Sequence, residues 1–186
     1  VRHAVSMAAG YQQAMEASNA KYKIYLHQDV FVINPRLISN LLNIFQSDIK
    51  VGMVGVAGAA KLRQDQPAWW ISELSTLFGT CYTRLSENEM VRNYYGEVPG
   101  GPGAYVHVAA IDGLFMATQY DLPWRADLFQ GWHFYDISQS REFINAGYKV
   151  VIPHQQEPWV IHDCGCKPLD DSYYENMRIF KENYNW

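Results

Sequence analysis

The feature that most constrains the fold is a short β-prone run that ends abruptly at polar residues. Residues 22–26 (YKIYL) are followed directly by His27, Gln28 and Asp29. A helical stretch comes next, and residues 51–57 (VGMVGVA) then form an apolar run typical of a buried strand. This strand–helix–strand order predicts an α/β fold with a mainly parallel sheet flanked by helices.

The rest of the chain continues this alternation of helices and strands. Asn34 and Pro35 are predicted to be the N-cap and first residue of a helix, because proline lacks the N–H that a first turn leaves unpaired. The apolar stripe of this helix is Leu37, Ile38, Leu41, Leu42 and Phe45. Further helices are predicted over residues 6–18, 134–146 and 172–184, and strands over residues 105–117 and 150–153. Without a repeat or a composition change, residues 1–186 are predicted to be one domain.

Charge and hydropathy exclude several classes of protein. The net charge of -4 and the isoelectric point near 5.8 give no electrostatic footprint for nucleic acid. The chain is 48% hydrophobic and only 18% charged, which argues against intrinsic disorder. No apolar run reaches the roughly 18 residues of a membrane span, and no signal peptide is visible. Peripheral attachment to the inner face of a membrane stays open.

Three cysteines are too few and too oddly spaced for a disulfide framework, so a reduced, cytoplasmic setting is expected. The chain begins at Val1 without an initiator Met. We therefore expect it to be a piece of a longer protein. The sequence predicts no oligomeric state.

The trio His27, Gln28 and Asp29 is the first candidate site. Ligands of open α/β sheets bind beyond the carboxyl ends of strands, which is where this trio lies. A carboxylate at such a position can hold a divalent cation, and the cation can hold a diphosphate. The simpler interpretation is that Asp29 caps a turn.

The second candidate is an aromatic segment that leads into a carboxylate at a helix start. Gly131, Trp132 and His133 precede Asp136 at the start of the helix predicted over residues 134–146. Asp136 can cap the helix, or act as a base beside rings that stack on a ligand. The 6 Trp, 13 Tyr and 8 Phe of the chain suit a packed core or a sugar site equally well.

Two further segments carry candidate ligands. His162 lies in a run with Cys164 and Cys166, and His154 is near in sequence. All are metal-ligand types, but Cys-x-Cys is not the Cys-x₂-Cys pair of structural zinc sites. Asp112-Gly113, between apolar runs, is either a tight turn or a place where backbone approaches a ligand closely.

The order and spacing of these segments resemble the nucleotide-sugar glycosyltransferases of the GT-A fold, in the broad family-2 superfamily. The nearer resemblance is to its "glycosyltransferase-like" group. It covers nearly the whole chain, from about residue 6 onward. The matching positions are His27-Gln28-Asp29, Asp112-Gly113, Gly131-Trp132, Asp136, Ala146-Gly147-Tyr148 and His162.

This resemblance implies transfer of a sugar, of the hexosyl type, from a nucleoside-diphosphate sugar to a hydroxyl of a carbohydrate or other acceptor. It also implies inversion, a divalent cation (Mn²⁺ or Mg²⁺) and a role in polysaccharide biosynthesis. Asp29 and His162 would bind the metal, His27, Gln28 and Asp29 the cofactor, and Asp136 would be the catalytic base. The expected substrate-binding residues are Asp112, Gly113, Trp132 and His133. We expect Asp29 and His162 to share one cation and Trp132 to be partly exposed in a cleft.

The sequence also departs from the family pattern. His27 occupies the position of the first Asp of the metal motif, Tyr135 replaces the Glu of a Glu-Asp pair, and Glu142 replaces an Arg. The opening strand–helix–strand of the family has no counterpart. The resemblance therefore implies a GT-A-like domain that is N-terminally truncated and keeps the metal and acceptor sides.

Two alternatives to an enzyme remain at this point. The first is a non-catalytic carbohydrate- or nucleotide-binding domain of the same fold, which the replacement at His27 favours. The second is a small metal-binding interaction module built on His154, His162, Cys164 and Cys166.

Overall fold

The computed structural model describes residue 1 and residues 3–164 and 169–186. Its helices are Met7–Glu16 (α1), Leu37–Ser47 (α2), Tyr135–Asn145 (α3) and Asp171–Asn183 (α4). Its strands are Lys23–Leu26 (β1), Val30–Val32 (β2), Val51–Gly55 (β3), Ala57–Ala59 (β4), Leu77–Ser86 (β5), Glu89–Gly96 (β6), Tyr105–His107 (β7), Ala110–Ile111 (β8), Phe115–Thr118 (β9), Lys149–Pro153 (β10) and Val160–His162 (β11). Short 3₁₀ turns span Trp69–Ile71 and Leu74–Thr76. None of the described helices has the length and apolar character needed to cross a membrane.

The strands form two mixed sheets. The first has the order β1-β9-β3-β10-β7, and the second has the order β2-β11-β5-β4-β8, with β6 paired to β5. Among the described strands, β3 with β10 and β5 with β11 are parallel pairs, while the other pairs are antiparallel. The α/β class is confirmed, but the mainly parallel sheet is wrong. The physical reason is that β9 lies between β1 and β3 and pairs with both in the antiparallel direction.

The apolar run at residues 51–57 connects the two sheets. Val51–Gly55 belongs to the first sheet and Ala57–Ala59 to the second, with buried Val56 between them. The segment predicted to hold one or two strands over residues 105–117 contains three short strands, β7, β8 and the start of β9. The β5–β6 hairpin lies within residues 58–104, where no element was predicted.

The helices cover the first sheet on both faces. The apolar stripe of α2 packs with Val51, Val54 and Val151 on one face. Residues of α1 and α3 pack with Met53 and Ile152 on the other. The second sheet has its own core, in which Ala57–Ala59 pack with α4 and with the start of α3. Helix α3 therefore lies against both sheets, which places its first turn where they meet.

Two helix starts show what the local sequence does. The Ser6 hydroxyl accepts a hydrogen bond from the Ala9 N–H at 3.1 Å, so Ser6 caps α1 inside the predicted range. Helix α2 begins at Leu37, later than predicted. The Asn34 side chain accepts instead from the N–H of Arg36 at 2.9 Å, which makes a turn ahead of the helix.

Candidate active site

Three potential metal ligands converge where the two sheets meet. His27 directly follows β1, Asp29 directly precedes β2, and His162 ends β11. The pairing of β2 with β11 and a hydrogen bond from the N–H of Asp163 to the Asp29 carbonyl (2.8 Å) bring these segments together. His162 Nε2 lies 3.3 Å from Asp29 Oδ1 and 3.4 Å from His27 Nδ1. One ligand atom from each of the three residues lies within 4.8 Å of the others.

The chemistry of these groups suits a cation. Asp29 Oδ1 is buried and accepts no hydrogen bond from the residues that the structure describes. Burial, and secondly the neighbouring His162, lower the pKa of His27 to about 4, so its imidazole is neutral at pH 7. A buried carboxylate oxygen without a donor costs free energy unless something positive satisfies it. Two imidazoles and one carboxylate are a donor set that divalent metals accept, so the residues fit the expected ion.

Tyr135, the first residue of α3, connects this centre to the rest of the site. Its hydroxyl makes a short contact with His27 Nε2. A Cβ on Gly113 would overlap the same hydroxyl, so glycine is needed there for the close approach of Tyr135. Burial, and secondly the charge of Asp136, raise the pKa of Tyr135, which keeps its phenol neutral.

Asp136 lies in the first turn of α3 and is buried. Its carboxylate accepts hydrogen bonds from the N–H groups of Gly113 (3.0 Å, to Oδ2) and Ile137 (2.8 Å, to Oδ1). Burial raises the pKa of Asp136 to about 6, although these two bonds act in the opposite direction. The side chain is thus fixed in direction and can exchange a proton near neutral pH.

Asp112 is a second carboxyl group beside Asp136. It accepts a hydrogen bond from the N–H of Leu114 at 2.8 Å, which closes the Asp112-Gly113 turn before β9. Burial, and secondly the charge of Asp136, raise the pKa of Asp112 to about 7. The predicted tight turn is present, and its glycine N–H serves Asp136.

The aromatic side chains that precede Asp136 in the chain pack near α4. Trp132 is 55% exposed. His133 packs edge-on against Tyr173 (5.6 Å between ring centroids), and its Nε2 lies 3.5 Å from Asp170 Oδ1. Exposed Trp70 also contacts Tyr173, at 5.8 Å between ring centroids. Phe134, two residues before Asp136, also contacts Tyr173, at 5.3 Å between ring centroids.

The remaining predicted residues lie apart from this centre or outside the description. Gln28 is exposed in the turn between β1 and β2. His154 lines a separate cleft of about 240 Å³, and its Nδ1 is 3.0 Å from the Val98 carbonyl. Cys164 is partly buried, and Cys166 lies outside the described residues. Within the described part of the chain, the converging ligand group includes His162 but not His154.

Three features of the site were not predicted from the sequence. His27 joins the ligand group, although it was expected only to contact the cofactor. Tyr135 reaches His27 across 108 positions, and Tyr173 of α4 packs against His133 and Phe134. The only signal for Tyr135 was its position in the aromatic segment next to Asp136, and nothing in the sequence pointed to Tyr173.

The family comparison agrees with a site of this composition. The model of a family described as "Glycosyltransferase like family" matches residues 1–184, so the chain belongs to that family. A search of curated proteins found no match. Family membership supports a role in glycosyl transfer and implies a sugar donor and an acceptor as substrates.

Proposed function

We propose that the protein transfers a hexosyl group from a nucleoside-diphosphate sugar to a hydroxyl of a carbohydrate or similar acceptor, with inversion and with a divalent cation. The observation that carries the proposal is the position of Asp136. This buried carboxylate follows the aromatic segment directly in the chain and accepts the N–H of Gly113. Gly113 lies against the hydroxyl of Tyr135, which contacts His27 of the ligand group His27, Asp29 and His162. The two mixed sheets and their helices are consistent with a GT-A-like domain.

Asp136 is the proposed base. The two backbone N–H groups that bind its carboxylate hold it in one orientation, so the side chain can take the proton of an acceptor hydroxyl without rearrangement. A pKa of about 6 leaves the group mostly ionised at pH 7 while it remains basic enough to accept a proton. General base catalysis of this kind is typically worth about 10²–10⁴-fold in rate.

Asp29 and His162, with their ligand atoms 3.3 Å apart, are the residues proposed to hold Mn²⁺ or Mg²⁺. When bound, the cation would neutralise the charge of the leaving diphosphate. Gln28 is exposed beside Asp29 and is proposed, with His27 and Asp29, to border the diphosphate. In this step the protein contributes the carboxylate of Asp29, placed between β1 and β2 near the neutral imidazole of His27.

The acceptor is proposed to bind on the aromatic cluster. Trp132 and Trp70 are 55% and 40% exposed, respectively, so both offer ring faces to a ligand. Sugar rings present apolar C–H faces, and aromatic side chains bury such faces while their polar edges stay hydrated. His133, beside Tyr173, is proposed to contact the same substrate, and Asp112 and Gly113 to line its inner end. The proposed location is cytoplasmic, because Cys81 carries a buried thiol that forms no disulfide.

The direct test is to incubate the purified protein with a panel of nucleoside-diphosphate hexoses, with Mn²⁺ or Mg²⁺ and with saccharide acceptors. We expect release of nucleoside diphosphate that a chelator abolishes. NMR of the new glycosidic bond should show the anomeric configuration opposite to that of the donor. A product that retains the configuration would overturn the inverting mechanism, and no turnover with any donor would overturn the enzyme assignment.

A non-catalytic binding domain of the same fold is the second candidate. It is favoured by the fact that both Asp136 oxygens accept backbone hydrogen bonds, as in a helix cap. Such a domain would bind sugar or nucleotide without hydrolysing the donor. Metal-dependent hydrolysis of a donor in the absence of acceptor would exclude this candidate.

A further inference from the structure

We propose that His27 is a third ligand of the cation centre, that Tyr135 holds it in position, and that this centre binds a divalent transition-metal ion in preference to Mg²⁺. The inference depends on the proposed function only for the idea that Asp29 and His162 bind a cation. It adds the class of ion, the use of an imidazole at His27 where the family pattern has an Asp, and the positioning role of Tyr135.

The spacing of the ligand atoms supports a shared ion. His162 Nε2 is 3.4 Å from His27 Nδ1 and 3.3 Å from Asp29 Oδ1. Two ligands at roughly 2.0–2.1 Å from one ion, separated by a tetrahedral angle, lie about 3.3–3.4 Å from each other. Asp29 Oδ1 accepts no hydrogen bond within the described part of the chain, and two imidazole nitrogens that face each other can share at most one proton. A cation satisfies all three electron-pair donors at once.

The contact with Tyr135 favours the tautomer of His27 whose Nδ1 can bind a metal ion. When the Nε2–H of His27 donates to the Tyr135 hydroxyl, the proton of the neutral ring is on Nε2 and the lone pair of Nδ1 points to the metal position. Ligand histidines are commonly oriented in this way by a partner on their second nitrogen. Tyr135 is itself held, because it is buried and its hydroxyl lies against Gly113, where no Cβ can fit.

The donor set decides the class of ion. Mg²⁺ prefers oxygen ligands and keeps several waters, so two imidazoles are poor substitutes for a pair of carboxylates. Imidazole nitrogen suits first-row transition ions, for which two histidines and one carboxylate are a common set. Replacement of the family's Asp by His27 therefore moves the centre away from Mg²⁺.

The experiment measures binding of Co²⁺ and Mg²⁺ alone, by titration calorimetry, to the 186-residue chain. The Co²⁺ titration is followed by the visible absorption of the ion as well. We expect Co²⁺ to bind at least about a hundredfold more tightly than Mg²⁺. Tyr135→Phe keeps the buried ring and should weaken Co²⁺ binding by about 10–100-fold, while the circular dichroism of the metal-free protein stays that of the parent. His27→Asp should reduce the Co²⁺/Mg²⁺ ratio by at least about tenfold.

His107→Ala is the matched control, because His107 is an exposed histidine of β7 outside the site, and it should bind both ions as the parent does. If Co²⁺ binding depends on Asp29 and His162 but is unchanged in His27→Asp and Tyr135→Phe, this inference fails and the proposed function stands. If the parent prefers Mg²⁺, the inference also fails while a metal-dependent transferase remains. If neither ion binds and donor hydrolysis is independent of metal, the cation part of the proposed function fails as well.

Discussion

The two carboxylates of the site, partly buried Asp29 and buried Asp136, are held in opposite ways. Asp29 Oδ1 accepts no hydrogen bond from the described residues and faces two imidazoles. Both oxygens of Asp136 accept backbone N–H bonds, at 3.0 and 2.8 Å. A buried oxygen that lacks a donor indicates a missing positive partner, whereas a fully supported carboxylate is positioned before any ligand arrives.

This contrast supports the different roles proposed for the two residues. The environment of Asp29 can be completed by an ion, which supports its proposed role as a metal ligand. That of Asp136 is already complete, and its raised pKa makes proton transfer its available chemistry. Tyr135 and Gly113 lie between the two carboxylates and touch both surroundings.

The largest expected effect is on the base. In a preparation that shows transfer, Asp136→Asn should lower kcat by at least about a hundredfold, because the amide cannot take a proton. Asn keeps the size of Asp and one acceptor oxygen, so circular dichroism and donor affinity should change little. Asp171→Asn, at an exposed position of α4, is the control and should leave kcat unchanged. Turnover close to that of the parent in Asp136→Asn would place the base elsewhere.

The next largest effect is stabilisation of the folded protein by a metal ion bound at Asp29. An ion at 100 times its Kd should raise the free energy of unfolding by about 2.7 kcal/mol, because it binds only the folded site. For a chain of this size the expected rise of Tm is roughly 5–10 °C, measured by differential scanning fluorimetry with and without chelator. Asp29→Asn should abolish this rise, while Asp127→Asn, which removes an exposed carboxylate, should keep it. An equal rise in both variants would show that the ion binds elsewhere.

Gly113→Ala should disturb both the surroundings of Asp136 and the ligand group that contains His27. The added Cβ would overlap the Tyr135 hydroxyl, so we expect a loss of about 1–3 kcal/mol in the free energy of unfolding, measured in urea. Displacement of Tyr135 should also weaken Co²⁺ binding through His27. Gly101→Ala introduces strain at a positive φ but has open space, so it should cost stability without affecting the metal. Unchanged Co²⁺ affinity in Gly113→Ala would show that the position of Tyr135 does not affect metal binding by His27.

The pH dependence of kcat should follow Asp136. Since burial raises the pKa of Asp136 to about 6, the proton-accepting form is lost as pH falls through that value. With metal and donor saturating, kcat should fall about tenfold per pH unit below pH 6. The same pKa shift also affects stability. Because the folded chain holds this proton more tightly than the unfolded chain does, the contribution of Asp136 to the free energy of unfolding decreases as pH rises from about 4 to about 6. A flat kcat profile down to pH 5 would contradict the assignment.

The smallest effect concerns the exposed aromatic cluster. Trp132→Ala should change the free energy of unfolding by less than about 0.5 kcal/mol, because the side chain is 55% exposed. Quenching of tryptophan fluorescence by a panel of hexoses and disaccharides should nevertheless weaken in this variant. Leu74→Ala, at an exposed position without a ring, is the control. Quenching that is the same in Trp132→Ala and in the parent would remove this residue from the acceptor site.

Local patterns were sufficient for the helices. The helices predicted over residues 6–18 and 134–146 and the apolar stripe of α2 depend on neighbours within one or two turns, so the sequence predicted them to within about two residues. Strand direction was predicted incorrectly, because periodicity shows that a strand exists but not which strand lies beside it. The division of residues 51–59 between two sheets was hidden for the same reason, since every residue from Val51 to Ala59 is buried.

By itself, the sequence determined the α/β class, the polar segment after β1 that contains Asp29, and the place of Asp136 in the first turn of a helix. Each of these follows from short-range order along the chain. Only the tertiary structure decided that His27 faces His162 across 135 positions, that Tyr135 contacts His27, and that Gly113 supports Asp136. These contacts depend on the pairing of strands far apart in sequence, and no local preference encodes such pairings.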